Sequence, residues 1–347
     1  MNKPKNNKGV RPKMLPEHIQ NIVGDAQSVL ALDGDFVEVN TSNAGVLPLA
    51  TFANYEKAVN QTQDTLKYYQ KNENGAVIAI TQSQSEPLNI VFSYDNDGPS
   101  QYVIEIADNV DVTIMEHHIM CDCGDVIEAA TINIEILVGR NANVTYSAFD
   151  TSGIKLTMNR FAIVDGDAKL DFAAGLFGED CVSETYVHLV APGAEAYTKV
   201  MMYGHDHQKQ LHKVRVNHFA PNTTSFITNH GVITGHATGL FEGIGFIEKG
   251  AHQSDAQQES RIMVMDKTAR GDVHPVLLID EYDVIAGHAG SVGRVSDETL
   301  YYLQSRGLSK LDAFHLVTAG FLMPVIEAVK DEQTRERIKA IIESKVK

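Results

Sequence analysis

Thiol and imidazole side chains are the groups in this sequence that could bind a soft metal ion. Cys121 and Cys123 form a Cys-x-Cys pair shortly after the run EHH at 116–118. Both thiolates of such a pair can reach one ion or cluster from an extended segment, but a complete zinc or iron–sulfur site needs four ligands. No second pair exists, since Cys181 is isolated. An inert pair in the loop after a strand is therefore the alternative to a metal site.

Four of the 14 histidines fall within a short span: His205, His207, His212 and His218. We expect His205 and His207 to lie on one face of a strand, because successive side chains of a strand alternate between its two faces. Neutral imidazoles are frequent metal ligands, but they are equally compatible with the solvated surface of a sheet. The span is thus either a metal cluster or a hydrated sheet face.

His288 stands between Gly287 and Gly290 in the segment DVIAGHAGSVGRV at 283–295. Glycines permit a close backbone approach, so we expect this imidazole to be exposed at the end of the β-rich part of the chain. From the residue types alone, an incidental histidine in a turn is the simpler interpretation.

Motifs of common catalysts are missing from the sequence. It contains no Walker A sequence, no GxSxG elbow, no HExxH and no GxGxxG between a strand and a helix. Carboxylate pairs are too numerous in so acidic a chain to be singled out. We therefore predict a non-catalytic protein. A carbohydrate-active enzyme, with carboxylates lining a groove of the fold, is the alternative.

The composition is that of a folded protein with an acidic surface. The 347 residues carry a formal net charge of -16, with 43% hydrophobic and 21% charged residues. Nucleic-acid binding is not expected, because it needs clustered Lys and Arg opposite phosphates. No apolar run is long enough to cross a bilayer, and no signal peptide is recognisable. We expect a cytoplasmic protein with reduced thiols.

Short β-type runs separated by Gly, Asn and Asp follow one another from about residue 75 to residue 295. A turn motif recurs at intervals of roughly 32, 26 and 26 residues, around Val110, Ala142, Ala168 and Ala194, and less clearly around Ala251 and Ala269. A coil of three short strands and three turns needs about that many residues. We predict a β-helix. A Greek-key sandwich is the alternative, because its turns have a similar spacing.

Helical patterns flank this β block. Apolar residues at helical spacing predict an amphipathic helix over 53–71, after the basic and flexible N-terminal tail. The chain is accordingly divided into an N-terminal tail and helical region at 1–75, a β-helix core at 76–294 and a C-terminal helical region at 295–347.

The C-terminal region has sequence signals for three helices. Ser296 and Ser309 are predicted N-caps, and Gly307 is predicted to end the first of these helices. We expect the second helix to close near Gly320, and Pro324 suits the start of a third.

The segment 217–321 resembles the C-terminal half of the SufB/SufD family. NHFAPNTTSFITNHGVITGHATGLFEGIGFI at 217–247 is similar to a family segment in which Asn and small polar residues lead into a glycine-rich strand. The family's most diagnostic run is matched in order and spacing by DAQQ at 255–258, the strand around Pro275, YDV at 282–284, HAGS at 288–291, LQSRG at 303–307 and GF at 320–321. Residues 76–200 are more loosely similar, and residues 1–75 only weakly.

This resemblance implies a right-handed parallel β-helix flanked by N-terminal and C-terminal helical regions. It also implies a scaffold or delivery role in iron–sulfur cluster assembly, with a cluster held transiently and a SufC-type ATPase docked on the C-terminal helical region. Family members pair through the ends of their β-helices, so we expect a homodimer or a heterodimer with a SufB-like protein. A permease-like transporter subunit, a label this family sometimes receives, is disfavoured because no membrane span is predicted.

His288 matches the histidine of the family's SufD-type HGAT motif, which is implicated in binding the nascent cluster between partners. The SufB-type cysteine before the proline-containing strand has no counterpart, because 267–274 reads KTARGDVH. The chain is therefore SufD-like. Cys121 and Cys123 lie roughly where the SufB-type body has a cysteine, and they are carried with His288 as candidate metal ligands. The short N-terminal region is a second departure from the family.

Overall fold

The computed structural model describes residues 29–33, 36–39, 44–48, 75–94, 100–120, 127–327, 329 and 332–345. Its strands are β1 Val29–Asp33, β2 Phe36–Val39, β3 Ala44–Pro48, β4 Gly75–Ile80, β5 Leu88–Tyr94, β6 Ser100–Ile106, β7 Asp111–Met120, β8 Ala129–Val138, β9 Asn143–Asp150, β10 Lys155–Val164, β11 Lys169–Leu176, β12 Cys181–Leu189, β13 Glu195–Gly204, β14 Lys209–His218, β15 Thr224–Ile233, β16 Thr238–Ile247, β17 Asp255–Val264, β18 Arg270–Ile279 and β19 Ile285–Arg294. Its helices are α1 Asp297–Ser305, α2 Lys310–Ile326 and α3 Glu332–Lys345.

Consecutive strands from β4 onward alternate between two parallel sheets. Sheet A has the strand order β19-β17-β15-β13-β11-β9-β7-β5-β1-β2, and sheet B has the order β18-β16-β14-β12-β10-β8-β6-β4-β3. The β block is therefore a parallel β-helix, as predicted. Each coil has two strands, however, and not the three short ones that we expected. Most strands from β7 onward are ten residues long, so two strands and two turns complete a coil.

The recurring turn motif forms one stacked row of turns that lead from sheet B to sheet A. Ala142 and Ala168 are buried at these turns, and each donates its backbone N–H to a carbonyl three residues earlier. The residues before them, Asn141 and Asp167, have φ values of 55° and 56°, a left-handed conformation that Asn and Asp tolerate well. Ala269 does not belong to this row, because it lies at a turn from sheet A to sheet B.

Inward-facing side chains of the two sheets form one continuous apolar core. In β10, for example, Leu156, Met158, Ala162 and Val164 face inward and are almost fully buried. The register pairs β10 with β8 on one side and with β12 on the other, so each inward side chain is covered by those of the two adjacent coils. Burial of one such side chain stabilises the fold by about 1.5–3 kcal/mol.

The first two C-terminal helices begin where the sequence predicts. The Ser296 side chain accepts a hydrogen bond from the backbone N–H of Thr299, and Ser309 and Asp312 form a capping box. Gly307 follows the end of α1 with a φ of 97°. Helix α2 packs on the outer face of sheet A, and α3 packs on α2. The buried apolar side chains form one cluster: Leu322, Val325, Ile326, Val329, Ile338 and Ile342 with Met115, Phe149, Phe177 and Met201.

The predicted boundary between the second and third helices was wrong. Helix α2 continues through Gly320 and Pro324 and ends at Ile326. Proline has no N–H to donate to the carbonyl of Gly320, which costs helix stability. Leu322, Val325 and Ile326 are fully buried on the same stretch, and this packing against sheet A offsets the loss. None of the described helices is both long and apolar enough to cross a membrane.

Strands β1, β2 and β3 lie within residues 1–75, for which the sequence predicts a tail and a helix. β1 pairs in parallel with β5 and antiparallel with β2, and β3 pairs antiparallel with β4. This region therefore extends both sheets at the first coil. The predicted helix at 53–71 lies outside the described residues.

The outer face of sheet B is partly buried around β6 and β8. Val103 and Glu135 point outward there, yet their side chains are 0% and 8% exposed. One carboxylate oxygen of Glu135, Oε2, has no hydrogen-bond partner. Burial raises the pKa of Glu135 to about 7, because desolvation disfavours the charged form.

We predict that Glu135→Gln increases the stability of the protein at neutral pH and leaves it nearly unchanged near pH 4. Since the folded-state pKa is raised, the unfolded chain ionises first, and wild-type stability falls as the pH rises from about 4.5 to 7. The difference in free energy of unfolding should reach about 3 kcal/mol. Urea unfolding at several pH values measures it. Glu184→Gln, a half-buried site on the same face, is the control, and a pH-independent difference would contradict the assignment.

Candidate functional site

His288 lies in strand β19, the last strand of sheet A, and not in a turn. The register pairs it with Gln258 of β17, so its side chain is on the inward side of the sheet. It is nevertheless exposed, because no described strand stacks on the outer edge of β19. Gly290, two residues further along β19, permits close packing between β19 and β18. A Cβ at that position would lie 3.0 Å from Val273 and 3.2 Å from Pro275 of strand β18.

The open end of the β-helix, formed by β18 and β19, is apolar, and no described strand pairs with its outer edges. Its exposed apolar side chains include Leu278 (43% exposed), Ile279 (37%), Ile285 (65%) and Val292 (45%). A strand at the edge of a sheet presents free backbone N–H and C=O groups that can pair with another chain. This end therefore resembles a docking surface, and His288 lies on the inward side of its edge strand β19.

Within the described residues, no group of three or more His, Cys, Asp or Glu side chains could hold a metal ion. The two cysteines of the Cys-x-Cys pair, Cys121 and Cys123, lie outside the described residues, directly after β7. His288 thus belongs to no such group.

The expectation that His205 and His207 lie on one face of a strand was wrong. His205 and His207 lie in the turn between β13 and β14, because β13 ends at Gly204, and only His212 and His218 are in a strand. The latter two are fully buried, and burial lowers their pKa values to about 3 and about 4. They are therefore neither solvated nor grouped with the turn histidines.

A buried ion pair, which sequence reasoning missed, lies inside the β-helix. The guanidinium of Arg160 donates to the carboxylate of Glu116, and both side chains are almost fully buried. His118 Nε2 and the Tyr146 hydroxyl also bind this carboxylate. The Tyr94 hydroxyl lies 2.6 Å from His118 Nδ1. Since an ionised carboxylate only accepts hydrogen bonds, His118 donates to it through the proton on Nε2.

Each group of this pair stabilises the charged form of the other. Burial alone would raise the pKa of Glu116, but the Arg160 guanidinium and His118 outweigh it and hold the pKa well below its usual range. For Arg160, burial lowers the pKa and the Glu116 carboxylate raises it by more. Both groups are therefore ionised at neutral pH, although no solvent reaches them.

Cys181 is the one cysteine in the described part of the chain, and it lies in the same interior region. It is 1% exposed. Burial raises the pKa of its thiol well above the usual value, and the nearby Asp150 raises it further. Because thiolates and not thiols are nucleophiles and metal ligands, Cys181 is an unreactive core residue.

A sequence signal for the ion pair did exist. In the apolar strand at 111–120, Glu116 and His118 are two residues apart and share the inward face, whereas His117 points outward to Asn89. Arg160 likewise interrupts an apolar strand at 155–164. Charged residues on the apolar face of a strand indicate an interior partner, but the partner lies 44 residues away, and only the coil register brings the two together.

Comparison with known proteins assigns the chain to a family. Residues 94–321 match the SufBD core domain of the SUF system for iron–sulfur cluster assembly. The chain belongs to the SufB/SufD family. Among its relatives, the iron–sulfur cluster assembly protein SufD of Bacillus subtilis is 38% identical over 270 residues, which cover 75% of this chain and 61% of the relative.

Two SufBD family proteins of Mycobacterium are more distantly similar to the present chain. One, from Mycobacterium bovis, is 28% identical over 207 residues, covering 58% of the chain and 24% of the relative. Another, from Mycobacterium tuberculosis, is 30% identical over 191 residues, covering 52% and 48%. The chain thus matches 61% or less of the length of each of these relatives.

We predict that Arg160→Met lowers the free energy of unfolding of this SufB/SufD-family protein by about 3–5 kcal/mol, because it leaves the Glu116 carboxylate buried without a counter-charge. Adding Glu116→Gln should restore part of the loss. Urea unfolding of the single and double variants measures both effects.

Arg270→Met is the matched control, since Arg270 forms an exposed ion pair with Asp272 at 2.9 Å. Its effect should stay within about 1 kcal/mol. Equal effects at Arg160 and Arg270 would show that the interior pair contributes no more than a surface one.

Proposed function

We propose that this chain is a non-catalytic, SufD-type subunit of a cytoplasmic iron–sulfur cluster assembly complex. In this role it pairs through its open β-helix end with a second copy or with a SufB-like protein, and it binds a separate SufC-type ATPase. The observation that carries the proposal is the placement of His288, the histidine of the SufD-like motif, on the inward side of an unpaired terminal strand.

The open end of the β-helix offers a surface for pairing. Strands β18 and β19 each have ten residues with a free edge, and apolar side chains such as Ile285 and Leu278 are exposed there. Exposed edges of this length favour association with another strand edge, since both the backbone groups and the apolar side chains gain partners. A partner at this end covers the inward side of β19 and brings its own side chains next to His288.

The cluster is the cargo of this complex and not a resident group. His288 supports one ligand position at the paired ends, because a histidine can bind iron through one ring nitrogen. Cys121 and Cys123 stay as weaker candidate ligands. A thiol-poor site that depends on a partner suits transient binding, since the cluster then has few bonds to this chain.

The C-terminal helices offer a surface for the ATPase. Helices α1 and α2 expose large apolar side chains: Tyr301 (76% exposed), Tyr302 (55%), Leu311 (45%) and Leu316 (53%). The helical region is held to the β-helix, since His230 Nδ1 lies 2.8 Å from the carbonyl of Phe321. An ATPase docked here can therefore pull on sheet A through α2. The chain has no Walker A sequence, so nucleotide hydrolysis belongs to the partner.

We predict that His288→Ala folds normally but reduces the iron and sulfide recovered with the complex. The protein is purified anaerobically together with its SufC-type ATPase, and iron, sulfide and the visible spectrum are measured. His274→Ala is the control, because His274 is also exposed at the open end but lies on β18. Equal iron and sulfide in wild type and His288→Ala would remove His288 from the site. A complex without iron in wild type would indicate that a SufB-like partner is required.

We predict that Tyr301→Asp combined with Leu316→Asp abolishes co-purification of the ATPase without unfolding the β-helix. Both side chains are more than half exposed, so the changes bury no new charge in the isolated chain. Tyr282→Asp is the control, since Tyr282 is fully exposed at the turn between β18 and β19. Retention of the ATPase by the double variant would place the docking surface elsewhere.

A further inference from the structure

Two histidines on the surface of the β-helix lie one above the other. His207 is in the turn between β13 and β14, and His236 is in the turn between β15 and β16. Both side chains are exposed. Their rings are parallel to within 4°, and the ring centroids are 4.9 Å apart. Neither histidine belongs to the open end or to the interior ion pair.

The backbone places the two imidazoles at equivalent positions of successive coils. Each follows a residue in the left-handed conformation: Asp206 has a φ of 52° and Gly235 a φ of 65°. The two turns are bonded to each other, since the backbone N–H of His236 donates to the carbonyl of Asp206 at 2.7 Å. Parallel strand pairs flank both turns, β13 with β15 and β14 with β16. The ring separation therefore follows from the spacing of adjacent strands, which is about 4.7–4.9 Å.

The ring nitrogens of this pair are available to a ligand. Within the part of the chain that the structure describes, no hydrogen bond engages the imidazole of His207 or of His236. The neighbouring His205 differs, because its Nδ1 lies 2.8 Å from a carboxylate oxygen of Asp206. The rings of the pair are thus aligned by the backbone and are not held by side-chain bonds, so they can tilt towards a common ligand.

Carboxylates flank the pair. Asp206 precedes His207 and is exposed. Asp266 lies in the next turn of the same row, between β17 and β18. Its pKa is lowered mainly by hydrogen bonds from the Thr234 hydroxyl and the Gly235 backbone N–H, and further by the nearby Lys310 and His236. Asp266 is therefore ionised at neutral pH. The two carboxylates favour a cation over an anion at this position, although Lys310 offsets part of the charge of Asp266.

The chemistry of paired imidazoles selects the class of cation. Neutral imidazole nitrogens bind Zn²⁺, Ni²⁺ and Cu²⁺, whereas Mg²⁺ and Ca²⁺ prefer oxygen ligands. In a tetrahedral zinc site with Zn–N bonds of about 2.0–2.1 Å, two ligating nitrogens are about 3.3 Å apart. A small tilt of both exposed rings brings them to this distance. Since no third His, Cys, Asp or Glu in the described residues completes the site, water occupies the other ligand positions.

We propose that His207 and His236 form a bidentate surface site for a divalent transition-metal ion such as Zn²⁺. The ion is bound by one nitrogen of each ring and exchanges readily, because the rest of its coordination is water. Binding links two successive turns of the β-helix. The site is separate from His288 and does not depend on the proposed role in cluster assembly.

Calorimetric titration with Zn²⁺ tests the site in the metal-free, full-length protein, purified without a histidine tag. We expect His207→Ala and His236→Ala each to lower the affinity of this site at least about tenfold, because either change removes chelation by the second imidazole. The double variant should lose little more than either single variant. His252→Ala is the control, since His252 is also exposed in a turn but lies in the opposite row. Equal Zn²⁺ binding by wild type and both single variants would overturn the proposal.

Nitrogen-15 NMR of the imidazole rings gives a readout that resolves this site from other metal-binding groups of the chain. We expect ring-nitrogen signals of His207 and His236 to shift together and to saturate at one Zn²⁺ per pair. In either alanine variant, the remaining histidine of the pair should not shift at the same Zn²⁺ concentration. Separate saturation of the two histidines, or an equal shift of His252, would show single-imidazole binding and contradict the bidentate site.

Discussion

Each coil of this protein buries its inward side chains only against the coils on either side. The fold therefore depends on a parallel register kept from β4 to β19, in which every strand is aligned with the strand two places before it. The stacked turns keep this register, with Asn141 and Asp167 in the left-handed conformation and a small buried alanine after each. The same constraint explains the open end, since no coil in the described part of the chain covers the inward side of β19. The buried interior and the exposed last strand thus have the same cause, because a coil is covered only by the coils next to it.

The interior ion pair is compatible with this rule because its carboxylate is fully satisfied. Glu116 accepts from Arg160, His118 and Tyr146, which replaces the water that an ionised group loses on burial. Such a network specifies the register more strictly than apolar contacts do, because a shift by one residue would turn Glu116 outward and leave Arg160 unpaired. The charged pair thus helps to fix the alignment of the coils that contain β7 and β10.

The sequence predicts those features that depend on neighbouring residues. The caps at Ser296 and Ser309 and the turn before Ala142 follow from local chemistry, and the structure confirms them. Features set by distant packing were not predictable in the same way. Pro324 continues a helix because sheet A supports it, and a coil has two strands because the strands are longer than their apolar runs indicate. The family motif led to His288, but the register alone shows which way this side chain points, and Arg160 had no motif to reveal it.

The two ends of the sheets differ in a way that limits how copies can associate. At the first coil, β2 and β3 are antiparallel strands of four and five residues, and β3 ends at Pro48. A ten-residue parallel edge such as β19 finds no matching edge among the described strands of the first coil, so head-to-tail stacking into a filament is disfavoured. Two copies that meet through their last coils instead use up both long edges at once. In such a pair growth would stop, whereas solenoids with two equivalent open ends are exposed to fibrous polymerisation.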